Sequence, residues 1–416
     1  MGDVEIGGGG TRYDLDFWGV FDEDSSFQSI IEAYEAVNLN VRINYRNFSI
    51  AEYETAVLNA ITEGKAPDIW MVHNSWLPKY KEKLLPLPQP TNSKDSGYRI
   101  NNFKNDFVDV AFFDFTDGKE IYAMPLYADT LALYYNKDFL QSAGFTRPPS
   151  TWDEFKNVVQ AISKIDTFST KIERSAAAMG TSRNINRSTD ILTLLMLQSG
   201  VRMTDNSFIT ASFANPVDGL SVGQRALEFY TDFANPFSSI YTWSNDLDYS
   251  IDAFSNSDTA MMINYSHHMP TIRAKSPRLN FAIVPVPQMK DSNVLVNYAN
   301  YFGLAVPKLH ASDRQLEAWK FIVFATSAEG QKLYTQTTHR PPARRDLIEE
   351  IKNDFDLGVF ATQAITARSW YQIDSGAIEK IFADMIDAVN FGQAAPVSAL
   401  QSAQTKVNVL MQKAPR

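Results

Sequence analysis

The chain has 416 residues, 44% of them hydrophobic and 21% charged, with a formal net charge of -10 and no cysteine. That length exceeds one compact core, so two lobes are expected, and the negative field argues against nucleic acid and anionic lipid as partners. Without cysteine there are no thiol nucleophiles, thiolate metal sites or disulfides, which suits a cytosolic and an extracytoplasmic protein equally.

The start, MGDVEIGGGGTRYDLDFW, lacks a basic region followed by an apolar core, so no signal peptide is expected there. Gly7 to Gly10 read as a flexible tether over residues 1–10, because no strand precedes them as a phosphate loop would require. Such a tether implies that an upstream segment has been removed. No apolar run is long enough to span a membrane.

YDLDFWGVFD alternates and ends in a polar turn, as a strand does. Asp24 or Ser25 then caps a helix to about Ala36, with Phe27, Ile30, Ile31 and Tyr34 on one face. VRINYRNF is a second strand. Ser49 caps a helix that turns Tyr53, Val57 and Ile61 inward and ends near Gly64. PDIWMVH is a third strand, and NSWLPKYKEKLL starts a short helix. This alternation predicts a mostly parallel sheet covered by helices.

IYAMPLYADTLALYYN reads as two extended segments around Ala128-Asp129. Helices follow at about 152–165, 188–198, 221–233 and 248–254. Thr151 caps the first of these, with Glu154 at N3. DTAMMINY, NFAIVPVPQM and NYANYFGLAVP are extended, SDRQLEAWKFIVFATS is helical, and the chain from Ala377 on is helical again. In an extended LALYYN, Tyr134 and Tyr135 point to opposite faces, so the pair makes a poor metal site.

Three motifs have simpler explanations than catalysis or metal binding. Gly219-Leu-Ser221-Val-Gly223 matches a nucleophile elbow, but TASFANPVD before it is turn-like, and a helix start accounts for the same residues. The acidic run from Asp246 fails as a calcium loop, with Ile251 at the sixth position and Ser257 at the twelfth. His267 and His268 diverge on any regular element and have no third ligand nearby. No metal and no cofactor are expected.

Four segments resemble the extracellular solute-binding proteins of ABC importers, in the family-1 group that includes maltose-binding protein. They are ALYYNKDFLQSAGFTRPPSTWDEF, APDIWMVHNSWLPKYKEKLLPL, AFSNSDTAMMINYSHHM and EAWKFIVFATSAEGQKLYTQTTHRPPARRDL. They occur in the family's order over nearly the whole chain. The third departs from the usual pattern. Ser257-Asp258 stands where Gly-Lys is usual, Tyr265 where Gly is usual, and no Trp follows, so a familiar sugar is not assumed.

The resemblance implies an α/β, two-lobed, type II periplasmic-binding-protein fold, each lobe a mostly parallel sheet flanked by helices. The first lobe would take 11–127 and 264–307, the second 128–263 and 308–416. Hinge strands would pass near Ala128–Leu131, Met262–Asn264 and Val306–Lys308. The implied function is extracytoplasmic capture of a sugar or oligosaccharide by hinge closure, with delivery to a membrane ABC permease. The protein would act as a monomer and not as an enzyme, and a native precursor would carry a lipoprotein cysteine. The alternatives are a non-sugar polar solute (peptide, polyamine or organic acid) and a glycoside hydrolase.

Ligands of open α/β sheets meet loops at the carboxyl ends of strands. That rule selects Phe21, Asp22 and Glu23, then His73, Asn74 and Trp76. The lobe crossing adds Tyr127 and Asp129, and the Ala-Met strand adds Asn264, Tyr265 and His267. Trp243, Asp246, Asn300, Tyr301, Arg340, Trp370 and Tyr371 complete the candidates. Aromatic faces with carboxylates, amides and arginine on hydroxyls would suit a carbohydrate.

Overall fold

The computed structural model describes residues 11–90, 97–166, 168–308 and 311–412, so the tether expected at 1–10 lies outside the described residues. These residues form two compact units. The first takes the chain through Phe107, Ala111–Tyr127 and Tyr301–Leu347; the second takes Val108–Val110, Ala128–Asn300 and the chain from Ile348 on.

In the first unit the sheet runs Val41–Phe48, Tyr13–Val20, Ile69–His73, Phe302–Pro307 and Leu84–Leu85, with Met124–Pro125 also paired to Phe302–Pro307. The first three strands are mutually parallel, joined by the helices Asp24–Val37 and Ile50–Thr62. Phe27, Ile30 and Tyr34 are buried on the first helix, and Tyr53, Val57 and Ala60 on the second. This is the apolar spacing that turns one helical stripe onto a sheet. The Tyr53 hydroxyl ties its helix to two strands, accepting from the Met71 N–H at 3.0 Å and donating to the Trp18 carbonyl at 2.7 Å.

The second unit's sheet runs Lys164–Ile165, Ile172–Ala178, Thr259–Asn264, Ala132–Asn136 and Phe281–Pro285. Only Ile172–Ala178 and Thr259–Asn264 pair in parallel; the other three pairings are antiparallel. Both sheets are therefore mixed, where the early alternation and the family resemblance imply mostly parallel ones. In the first, Phe302–Pro307 runs against Ile69–His73; in the second, Ala132–Asn136 runs against Thr259–Asn264 and Phe281–Pro285, and Lys164–Ile165 against Ile172–Ala178. A parallel pair needs a covering crossover, whereas a strand arriving from a distant part of the chain can dock in the opposite direction.

The division also falls elsewhere than expected. Residues 264–300 group with the second unit because Phe281–Pro285 pairs with Ala132–Asn136 and Asn300 pairs with Asp129. The Met262–Asn264 segment lies inside that unit's sheet rather than at a crossing. Described residues between 308 and 347 group with the first unit. There the helix Ser312–Ala325 sends Arg314 to the buried Asp68, and Phe321 packs 6.2 Å from Phe17. Apart from the short Val108–Val110 stretch, the chain passes between units after Tyr127, after Asn300 and after Leu347.

Thr151 accepts the Glu154 N–H at 3.2 Å and starts the helix Trp152–Ile162. Tyr134 is buried among Phe254, Phe281 and Phe360 and donates to the Tyr265 carbonyl at 2.7 Å, while Tyr135 is half-buried on the other face. Ser221 is the residue before the helix Val222–Asp232, and no strand leads into it, so the elbow-like letters mark a helix start. Gly223 lies against the Phe213 carbonyl, where a Cβ would come within 2.2 Å.

Candidate ligand-binding residues

At the carboxyl end of Tyr13–Val20 the chain turns sharply. Phe21 adopts a left-handed φ of 67°, and the residue is 53% exposed. The next residue, Asp22, is buried and firmly held. Its carboxylate accepts from Tyr334 Oη at 2.6 Å and from Arg340 Nη2 at 3.0 Å, and its carbonyl accepts from Tyr45 Oη at 2.6 Å. Arg340 also donates to Tyr127 Oη at 2.7 Å and lies over the Tyr127 ring at 4.6 Å. Tyr127 stacks on Tyr334 with ring centroids 5.9 Å apart. Burial first, then Asp22, push the Tyr334 hydroxyl far above its ordinary value, so it stays a donor. Asp22, Tyr127 and Arg340, chosen separately, thus form one cluster whose fourth member, Tyr334, was not anticipated.

Around the third strand the anticipated residues pack mainly on each other. Asn74 and Tyr301 share Asp114, with Asn74 Nδ2 donating at 2.9 Å and Tyr301 Oη at 2.6 Å. Trp76 is buried near Tyr53, Trp70 and Phe302. His73 is half-buried, its ring 5.0 Å from Phe302 and its Nδ1 2.7 Å from Ser75 Oγ. Glu23 is exposed and precedes the helix Asp24–Val37.

In the second unit Asp129 is buried and accepts from the Ser266 N–H (3.0 Å), Ser266 Oγ (2.8 Å) and the Thr130 N–H (2.9 Å). His267, 41% exposed at its side chain, places Nδ1 3.5 Å from the same carboxylate. Asn264 is buried; its Oδ1 accepts from Asn186 Nδ2 at 3.2 Å. Asn186 also reaches His268 Nε2 at 2.7 Å, and its Oδ1 accepts from Tyr249 Oη at 3.0 Å. Burial foremost, with His267 and Arg187 adding to it, lowers the His268 pKa to about 3, so this imidazole is neutral at physiological pH. Tyr265 is buried and donates to Asp190 at 2.7 Å. Arg187 forms a two-point pair with Asp190 at 2.9 and 3.0 Å. Burial works against the Arg187 charge, but Asp190 and Glu379 outweigh it and raise the guanidinium above its ordinary value.

The remaining candidates lie in the core, in exposed turns or, for Asn300, beside Asp129. Trp243 is buried and donates to Asn184 Oδ1 at 3.1 Å. Trp370 is buried between Phe213 and Phe382. Tyr371 is half-buried and stacks on Phe208 at 5.2 Å. Asp246 is exposed in a turn, and Asn300 ends its strand half-buried. Asn186, Arg187, Tyr249 and Asp190 went unnoticed in the sequence because they sit on loops and a buried helix with no periodic signature. Among the described residues, no group of acidic residues and histidines could hold a metal ion.

A sequence profile of bacterial extracellular solute-binding proteins matches residues 29–358. The chain belongs to that family. This solute-binding protein is 23% identical over 333 residues to the multiple sugar-binding protein of Streptococcus mutans, covering 79% of this chain and 74% of the relative. Its fold is similar to that of the sugar-binding protein MalE of Xanthomonas citri, with a TM-score of 0.79, 20% identity, and coverage of 96% and 98%. It is also similar to UgpB of Mycobacterium tuberculosis, solved with glycerophosphocholine, with a TM-score of 0.74, 16% identity, and coverage of 96% and 99%. The solute-binding protein thus has the two-lobed type II binding-protein fold.

Proposed function

We propose that this protein captures an uncharged sugar or oligosaccharide outside the cytoplasmic membrane by closure of its two lobes and delivers it to a permease. The observation that carries the reading is the internal pairing of charge among the candidate residues. Asp22 is matched by Arg340, and Arg187 by Asp190, while Asp129 is occupied by Ser266 beside His267. Such groups orient hydroxyls through hydrogen bonds without requiring a charged solute. The sugar-binding names of the relative and of the Xanthomonas protein support the same class.

In this reading the first unit offers Phe21, Glu23 and His73 to a solute, and the second unit offers Asn186, Tyr249 and His267. Asp22, Tyr127, Arg340, Asp129, Asn264 and Tyr265 stand behind them and fix their positions. The solute favours the closed conformation by binding it more tightly than the open one. The protein works as a monomer held near the membrane by a lipid anchor, and it performs no hydrolysis. Chromogenic glycosides should give no product, sedimentation should report one chain, and the full-length protein should partition into detergent.

The direct test is thermal melting with a panel of neutral saccharides, from monosaccharides to maltotriose. A solute at 100 times its Kd adds about 2.7 kcal/mol, several degrees in a domain of this size. Glycerophosphocholine goes into the same panel because UgpB binds it. A shift with that compound and with no saccharide would replace the sugar reading by a polar phosphodiester.

A further inference from the structure

Strand register differs by one residue on the two sides of the passages after Tyr127 and after Asn300. In the first unit Met124 pairs with Leu304 and Pro125 with Gly303; in the second, Asp129 pairs with Asn300 and Thr130 with Ala299. Three residues thus separate Pro125 from Asp129, while two separate Asn300 from Gly303. An extra residue of this kind interrupts a ladder and lets it bend. Tyr301, the first residue of the shorter connection, is firmly held. Its carbonyl accepts the Asn74 N–H at 3.0 Å, and its own N–H lies 3.5 Å from Asn74 Oδ1. Its hydroxyl donates to Asp114 Oδ2 at 2.6 Å, and the same oxygen accepts from Asn74 Nδ2 at 2.9 Å. Asp114 arrives on the helix Asp109–Phe115. The last residue of that helix packs 5.4 Å from the Tyr301 ring, and a Cβ at Gly303 would come within 2.5 Å of it. Asp114, Asn74 and Tyr301 are all buried, so none of them meets a solute directly. A carboxylate is costly to bury unless donors meet it, and an apolar side chain would fill the same space at lower cost.

We infer that Asp114 is a positioning residue for solute capture: it joins the turn after Ile69–His73 to the point where the chain re-enters the first unit at Tyr301, so that turn and crossing move as one piece. This rests on the saccharide reading above. His73, which that reading offers to a solute, precedes Asn74 in the same turn. A solute that draws on this turn thereby acts on the crossing. Loosening the joint leaves the solute less able to favour the closed conformation, which shows as faster release. Burial foremost, then Asp114, raise the Tyr301 hydroxyl far above its ordinary value, so it remains a donor.

The test measures association and dissociation rates of the saccharides that shift the wild-type melt, for wild type, Tyr301→Phe, Asp114→Ala and Asp114→Asn. Backbone hydrogen exchange over residues 73–76 is followed in the same proteins without solute. Tyr301→Phe and Asp114→Ala should release the saccharide about fivefold faster, associate within about twofold of wild type, and exchange faster over 73–76. Asp114→Asn keeps an acceptor oxygen for both donors and should stay within about twofold of wild type. A merely structural role would lower the melting temperature and leave the dissociation rate unchanged, and that result overturns the inference. So does an Asp114→Asn protein as impaired as Asp114→Ala. If Asp114→Ala does not fold, Tyr301→Phe, which loses only a hydroxyl, decides. If wild type binds no saccharide, the functional reading fails, and exchange decides the joint separately: unchanged exchange over 73–76 in Tyr301→Phe overturns it.

Discussion

Replacing Arg340 by methionine tests whether the Asp22 cluster is an integral element of the first unit. Arg340 and Asp22 are both nearly buried and lie 3.0 Å apart, and the same guanidinium bonds Tyr127 at 2.7 Å. Methionine keeps most of the volume and removes the cation. Removing one partner of a buried pair costs about 3–5 kcal/mol, because the remaining charge stays desolvated. At about 2–4 °C per kcal/mol for a unit of this size, the melt should fall by roughly 10 °C. Asp22→Asn alone should cost on the order of 2–3 kcal/mol, since it leaves the arginine in the same buried site. The double variant should then be less damaged than the sum of the singles, by roughly 2 kcal/mol, in a urea-unfolding cycle. Strict additivity would refute the cluster as a coupled unit, and so would a single-variant loss below about 1 kcal/mol.

Tyr334→Phe removes a buried donor from the Asp22 carboxylate and should destabilise by about 1–3 kcal/mol in urea titration, with little change in circular dichroism. Thr151→Ala deletes the cap of Trp152–Ile162 and should cost about 1 kcal/mol, recovered largely by Thr151→Ser. His268 provides a pH signature. Its folded pKa is depressed from 6.5 to about 3, so below 6.5 the unfolded chain binds a proton that the folded chain rejects. That stability is present above pH 6.5 and is lost as pH falls toward 3, amounting to about 2 kcal/mol at pH 5. His268→Gln should flatten the stability profile between pH 7 and 5, and an unchanged slope would exclude this histidine as its source.

Local patterns in the sequence located the first three strands and the amphipathic helices, because strand alternation and helical stripes are properties of short windows, but they left Ile100–Asp106, Asp109–Phe115 and Ile172–Ala178 unassigned. Phe27, Ile30 and Tyr34 needed only their spacing to be placed on one face, and Thr151 only its position before Trp152. Strand direction was not legible in the same way. Nothing within Phe302–Pro307 or Ala132–Asn136 records which neighbour it will meet or from which end. The candidate residues divide similarly. Asp22 and Arg340 were both recognisable by their place beside strand ends and turns, but their pairing spans 318 positions and has no local trace. Trp243 and Trp370 were attractive as exposed stacking faces, and the structure places both in the core, where large aromatic side chains contribute most to burial. Asn186 and Tyr249 gave no periodic signal, because loop residues follow none.

The shared composition of the first unit constrains how the chain can mature. Asn74 and Tyr301 meet across 227 positions, and Ile69–His73 gains its neighbour on that side only when Phe302–Pro307 is in place. A nascent chain emerging from its amino terminus therefore presents an open sheet edge throughout synthesis of the Ala128–Asn300 part of the second unit. The Asp22 carboxylate likewise waits for Tyr334 and Arg340. Vectorial assembly, one domain after the other, is closed to this topology. The first unit can complete its sheet only once residues 301–347 have been made, so an unfinished chain leaves that edge of Ile69–His73 unpaired.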